Sequence, residues 1–378
     1  MATLLLLLVP LLAIRENGDV SERQAISAVR RLHGEVFNEQ GNPPEHGEHV
    51  VSVILPYPNY TSADLELLRG LPHLRDLELH CSLRNDATAK GLESLGQLRM
   101  LRLSFEQARL SDEGLKHLRP LKNLERLQLD STSVTDAGLE HLRGLTQLRE
   151  LTLGLDDITG SGLKHLKGLT HLRHLELDNT KVSGPGLEDL QGLPDLRELD
   201  LSGTPIGDLG MEQVRTLAHL EKLNLTRTKI TDAGVIRLRN LTELRELRVA
   251  HTGIGDAGME NLKGLAKLKI LDLYETNVTA KGLECLRHFP AIEELALNSG
   301  AATDAGVERL LALRNLKTLD IWNSNVTDAG FRRLAQFPAL RWIGLGSTTR
   351  VTEKTIEDLK RAVPGIVIDR FPVWQKPK

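Results

Sequence analysis

Leucine sets the beat of this chain. Leu172, Leu175 and Leu177 alternate with charged or polar residues, Val182 follows, and Leu187 and Leu190 close the unit. The order restarts at Leu196, and in all at twelve places from Leu74 to Leu340, each step 24 residues except one of 26 between Leu98 and Leu124. A period of roughly 20–50 residues marks a solenoid, in which each unit buries its apolar side against its neighbours. Inside a unit, the alternation Leu175-Glu176-Leu177 predicts a short strand with both leucines inward and Glu176 outward. At Leu139, Leu142 and Leu145 the spacing widens to three, which predicts a short helix with that stripe inward.

The polar positions repeat as strictly. Beyond the strand stands a column of nine Ser or Thr: Ser82, Thr132, Thr180, Thr204, Thr228, Thr252, Thr276, Ser324 and Thr348. Glu106, Asp156 and Gly300 take the remaining places. Small hydroxyls bond local backbone where a chain leaves a sheet, so this column is expected to line the solenoid edge. The next signature is Thr-Asp-Ala-Gly-Leu, clearest at Thr135 to Leu139 and, with valine last, Thr231 to Val235. Thr is the expected helix N-cap, and Asp suits the first turn. Glycine then recurs at 114, 138, 162, 186, 210, 234, 258, 282, 306 and 330. A helical Gly costs about 0.5–1 kcal/mol against Ala, so a geometric need must outweigh it; close approach to the neighbouring unit is the expected one. One unit buries about six aliphatic side chains at roughly 1.5–3 kcal/mol each. Ordering its backbone costs about 1–2 kcal/mol per residue. A lone unit cannot fold, and stacking must supply the stability.

The ends break the beat. Leu4 to Ile14 is an apolar run, interrupted at Pro10, too short to span a bilayer and of the length of an export signal's apolar region. No Lys or Arg precedes it, and Leu11-Leu12-Ala13 is a poor cleavage site. Exported or envelope-associated protein is the expectation, cytoplasmic the alternative; membrane contact is expected only through this segment. Ser21-Glu-Arg-Gln24 is a capping box opening a helix through Ala25, Ile26, Val29 and Leu32, which Gly34 is expected to stop. Asn38 to His49 is expected to be a flexible connection, and Val50 to Leu55 a strand in register with the repeats. The division is therefore 1–14 signal-like, 15–56 N-terminal cap, 57–363 repeats, and 364–378 C-terminal cap strand and tail. Ile366 to Ile368 is the expected final strand.

Composition changes the picture little. The chain is 40% apolar but 3% aromatic, so its core is aliphatic. A net charge of −3 gives no reason to expect nucleic acid as a partner. Cys81 and Cys285 stand far apart along the array, on the order of 40 Å at one strand spacing per repeat, beyond disulfide reach.

The pattern Leu-x-x-Leu-x-Leu, a hydroxyl, then Thr-Asp-Ala-Gly-Leu resembles the leucine-rich repeat superfamily. It is most similar to the Asp-Ala-Gly-Leu kind found in uncharacterised bacterial repeat proteins and in the repeat halves of F-box proteins. The resemblance covers some 310 residues of the chain. It implies an α/β leucine-rich-repeat solenoid of about 12 repeats, with a concave parallel β-sheet and short helices on the convex side. It also implies a protein that binds other proteins. No F-box-like segment precedes the repeats, and Ser or Thr stands where F-box relatives carry a cysteine, which weighs against an adaptor role.

No phosphate loop, zinc-spaced Cys pair or nucleophile elbow occurs, so neither catalytic residue, metal nor cofactor is expected. His117, His141 and His165 form one convex column, expected to be solvated. Outward strand positions carry Glu150, Glu176, Asp178, Glu198, Asp200, Glu246, Asp272, Glu294 and Asp320, interrupted by Lys222 and Arg248. The residue after each first Leu is basic in nine of twelve units, among them Arg75, Arg149, Arg173, Arg197 and Arg245, which sets a basic stripe beside an acidic one. Among so few aromatics, Tyr274, Trp322 and Trp342 fall at outward positions within four adjacent strands, beside Asp272, Asn298 and Asp320. Exposed Trp and Tyr on a polar face are the usual anchors of binding surfaces. Asp272, Tyr274, Asn298, Asp320, Trp322 and Trp342 are thus the candidate partner-binding residues of a monomeric, non-enzymatic module taking a protein or peptide. A structural envelope spacer is the alternative, and a carbohydrate surface using the same aromatics a third reading.

Overall fold

A computed structural model describes residues 21–45, 48–57, 60–80, 86–104, 110–297, 300–346 and 350–369. The apolar segment 4–14, Cys81, Ser82, Glu106, Asn298, Thr348 and the tail from Phe371 lie outside the described residues. One open sheet runs the length of the molecule in chain order. It starts with β1 (Glu35–Phe37), β2 (Ser52–Leu55), β3 (Asp76–His80), β4 (Met100–Ser104) and β5 (Arg126–Gln128). The middle holds β6 (Glu150–Thr152), β7 (His174–Glu176), β8 (Glu198–Asp200), β9 (Lys222–Asn224) and β10 (Glu246–Arg248). The far end is β11 (Ile270–Leu273), β12 (Glu294–Leu297), β13 (Thr318–Asp320), β14 (Trp342–Gly344) and β15 (Val367–Asp369). From β2 onward every pairing is parallel, with Leu175, Leu199, Leu223, Leu247 and Leu271 in one row. That row and the leucines of the convex turns make one continuous buried core.

In most repeats the chain leaves the sheet by the same device. Ser131, Leu155, Asn179, Arg227, His251, Glu275 and Asn323 are all left-handed, with φ between 51 and 64°. For a residue with a side chain this conformation is strained. The strain is offset because the amide there reaches the next strand, as Asn179 N–H donates to the Ser202 carbonyl at 2.7 Å and His251 N–H to that of Tyr274 at 2.8 Å. The hydroxyl column then closes the turn: Thr180 donates to the Leu177 carbonyl at 2.7 Å, Thr252 to that of Val249 at 2.6 Å, and Thr276 to that of Leu273 at 2.7 Å. Thr132 departs from its column and donates to both oxygens of Asp156 at 2.9 Å.

The convex side is a seam of short α and 3-10 turns. The motif Thr caps its own turn, as Thr231 Oγ1 accepts from Ala233 N–H at 3.2 Å. The motif Asp does more than suit a helix terminus. Asp208 accepts the Thr231 N–H and hydroxyl of the next repeat, both at 2.7 Å, and Asp256 accepts those of Thr279, both at 2.8 Å. Asp112, Asp136, Asp304 and Asp328 bind Thr135, Thr159, Thr327 and Thr352 in the same way. Asp86 binds Ser111 likewise, although the sequence around it fits the repeat template poorly. This clamp explains the glycine column. A Cβ on Gly114, Gly138, Gly162, Gly234, Gly258, Gly282 or Gly330 would stand less than 3.0 Å from the clamping Asp of the preceding repeat. Gly186 and Gly306 instead meet backbone, at Gly160 and Ala301.

At the N-terminal end the helix α1 (Glu22–Arg31) carries the expected capping box and buries Ala25, Ala28 and Val29. Two details differ from expectation. The left-handed residue after α1 is His33 (φ 57°). Gly34 is needed instead because a Cβ there would lie 2.5 Å from Leu55 Cδ2 and 2.8 Å from the Ile54 carbonyl oxygen. A strand that no pattern marked, β1, precedes the connection and runs antiparallel to β2. Asn38 then organises the turn, its Oδ1 accepting from Gln40 and Asn42 N–H and its Nδ2 donating to Glu48 at 2.7 Å. At the other end β15 lies parallel to β14, Ile368 beside Ile343, after the helix Glu353–Ala362.

Candidate functional site

The two charged stripes largely neutralise themselves. Of the three Glu that interrupt the basic stripe, two are bracketed, Glu125 by Arg99 and Arg149 at 3.5 and 3.6 Å and Glu293 by Lys269 and Lys317 at 3.0 and 2.5 Å, and Glu221 meets Arg245 at 3.3 Å. On the acidic stripe, His174 lies between Glu176 and Glu198, 2.9 Å from each, and Lys222 reaches Glu198 at 2.9 Å. Bonding to Glu176, then Glu198, outweighs burial and holds the His174 imidazole above its usual range. Surface pairs of this kind contribute little to stability, and beside them Asp130 and Asp178 are held above the usual carboxylate range, by burial first and then by neighbouring carboxylates.

Toward the C-terminal third the face changes character. A cavity of about 300 Å³ opens over β8 to β13. Small side chains, Ser202, Thr226 and Ala250, make the open end, and Tyr274 and Trp322 stand as a wall at the other. All five occupy one column at multiples of the 24-residue step, so the cavity is the gap left where small residues precede large ones. Trp322 leans toward Tyr274 with ring centroids 6.4 Å apart and planes at 39°, and His251 meets the edge of Tyr274 at 5.5 Å. His251 reaches that ring because it is one of the left-handed turn residues. The far side of Trp322 rests on Gly346, where a Cβ would overlap the indole. The indole Nε1–H is buried with no hydrogen-bond partner.

The acids below the wall hold the backbone that carries it. Asp272 Oδ1 accepts from Tyr274 N–H at 3.0 Å, and Asp320 Oδ1 accepts from Trp322 N–H at 3.1 Å. Asp200 binds Ser202 and Asn224 binds Thr226 through the same two-residue turn. Asp272 and Asp320 are 5% and 1% exposed. Burial pushes the Asp272 carboxyl up to about 6, against the opposing pull of Tyr274 N–H and Arg248. Arg248, on the cavity floor, donates to Glu246 at 2.5 Å.

Of the six candidate residues, the structure brings Asp272, Tyr274, Asp320 and Trp322 into one cavity. Trp342 does not line it: its ring folds over Gly344, where a Cβ would lie 2.5 Å from Cη2. Asn298 lies outside the described residues. Sequence reasoning missed Asn224, Arg227, Arg248 and His251, and the signal that could have found the space was the run Ser202, Thr226, Ala250 just ahead of Tyr274 in one column. Elsewhere, two of the three convex histidines are bound rather than simply solvated, His117 by Glu93 at 2.5 Å and His141 by Arg119 at 2.7 Å, while Nδ1 of His165 is buried without a hydrogen-bond partner. Among the described residues no group of His, Cys, Asp or Glu is arranged to hold a metal. Cys285 is buried and donates to Glu260 at 2.6 Å; burial first and Glu260 second push its thiol up to about 12.

A family model for the leucine rich repeat matches residues 168–190, 192–213, 216–238 and 240–263. This is a leucine-rich-repeat protein. Among solved structures, an internalin (inlF) from Listeria monocytogenes superposes with a TM-score of 0.59 at 19% identity, over 87% of this chain and 96% of its own. A leucine-rich-repeat protein of Leptospira interrogans superposes with a TM-score of 0.50 at 18% identity, over 80% and 86%. At these identities the likeness is one of fold. No curated protein sequence matches the chain. Leucine-rich-repeat proteins commonly mediate protein–protein interaction, and the repeat array is typically a scaffold without catalysis. No helix among the described residues is long and apolar enough to cross a membrane.

Proposed function

We propose that this leucine-rich-repeat protein is a non-enzymatic binding module that takes a protein or peptide segment on the C-terminal third of its concave face. One observation carries the reading: the cavity of about 300 Å³ walled by Tyr274 and Trp322. Its size and mixed lining suit one or two inserted side chains, with the surrounding sheet as a polar rim. Aromatic rings already packed on one another, on His251 and on Gly346 lose little freedom on binding, which favours affinity. Panning a phage-displayed random dodecapeptide library on the wild type and on the Tyr274→Ala/Trp322→Ala double variant tests it. Sequences enriched on the wild type and lost on the variant are expected. If the two proteins enrich the same sequences, or none, the cavity is not a partner site and a structural spacer becomes the better description.

A further inference from the structure

Resting on that reading, we infer that the side chain the cavity receives is cationic: an arginine or lysine of the partner, lying along the Tyr274–Trp322 wall with its charge toward Asp272 and Asp320. The wall supplies the first reason. Two adjoining ring faces, 6.4 Å between centroids, offer a surface on which a guanidinium or ammonium is held by the ring quadrupoles, more strongly where water is partly excluded.

The carboxylates supply the second. Asp272 and Asp320 sit at matching positions on β11 and β13, two strand spacings or about 10 Å apart, so a charge between them lies within reach of both. The third is the local balance. The cavity lining holds two carboxylates, Asp272 and Asp320, against two guanidiniums, Arg227 and Arg248. Glu246 on β10, outside the lining, already bonds Arg248, so the positive charge at the cavity is partly spent elsewhere. Arg248 is bonded to Glu246, and it pulls the carboxyls of Asp272 and Glu294 down without overcoming their burial. An incoming cation would lower the cost of keeping these carboxylates charged. An acidic side chain would raise it, and a purely apolar one would deepen their desolvation with nothing in return. A long unbranched stem with a terminal charge also suits a cavity whose open end is lined by Ser202, Thr226 and Ala250.

The test is a nitrogen–proton correlation titration of the full chain, following the indole signal of Trp322, identified by its loss in Trp322→Phe. The probes are N-acetyl-arginine amide, its neutral isostere N-acetyl-citrulline amide, and N-acetyl-glutamate amide, all at one ionic strength. Arginine amide is expected to shift the Trp322 signal saturably and to bind about tenfold tighter than citrulline amide. Asp272→Asn, which keeps an oxygen for Tyr274 N–H while removing the charge, is expected to erase most of that difference. Equal binding of arginine and citrulline amides overturns the inference. So do shifts confined to the Glu176–Glu198 stripe with Trp322 unmoved. If the inference fails while selected peptides still require Tyr274 and Trp322, only the charge of the ligand is wrong. If panning fails as well, the partner site itself falls.

Discussion

Two aspartates sixteen residues apart, in adjoining repeats, do opposite work. Asp256, on the convex seam, accepts two hydrogen bonds from Thr279 of the next repeat and stands where Gly282 leaves room for it. Asp272, on the concave face, accepts a single backbone N–H from within its own turn and is held charged only against the cost of its burial. The first is satisfied by the stack; the second is left wanting charge. The seam repeats one chemistry at nearly every step because every step must solve the same stacking problem. The concave face has no such duty, and its side chains differ from strand to strand: acid–histidine–acid around β7, small residues then aromatics from β8 to β13.

The comparison can be broken at several points. Gly234→Val should have the largest effect, since its Cβ would fall on the Asp208 carboxylate that clamps Thr231. A loss of roughly 2–4 kcal/mol in urea unfolding is expected. A variant melting within a degree of wild type would remove the stacking explanation of the glycine column. Asp256→Ala should cost roughly 1–2 kcal/mol by removing two hydrogen bonds to a carboxylate that join successive repeats, with arginine amide binding at Trp322 unchanged.

Asp272→Asn should do the reverse, gaining roughly 1–2 kcal/mol at pH 7.5 while weakening cation binding. The sign follows from a folded-state value of about 6 against about 4 in the unfolded chain. Stability from this group is fully present below about 4 and is lost as pH rises through about 6. The gain from Asn should therefore vanish in melts at pH 4, and the same gain at both pH values would contradict the burial assigned to Asp272. The smallest effect is expected at Glu275→Gly. Its φ of 51° is strained for any residue with a side chain, so glycine should stabilise by roughly 0.5–1 kcal/mol, read as a small rise in Tm.

Much of this molecule was legible before any coordinates. The 24-residue step placed Leu175 in register with Leu199 and Leu223, the hydroxyl column at the sheet edge, and the glycines against the neighbouring repeat, because each of these depends on a single repeating geometry. The strand β1 was not legible: three residues between a turn and Asn38 carry too little periodicity to mark. At the candidate site, outward position alone was enough to select Tyr274 and Trp322. It was not enough to separate them from Trp342, which has the same exposure pattern but folds over Gly344.

The sequence by itself determined the solenoid, since period and alternation are one-dimensional and a repeat can bury its leucines only against another like it. Only the tertiary structure decided that Asp208 and Asp256 clamp the following repeat, that His251 turns toward Tyr274, and that Ser202, Thr226 and Ala250 open a cavity before the aromatic wall. Those are relations between residues some 24 or 48 positions apart, fixed by the size and direction of side chains on adjacent strands, and no single repeat contains them.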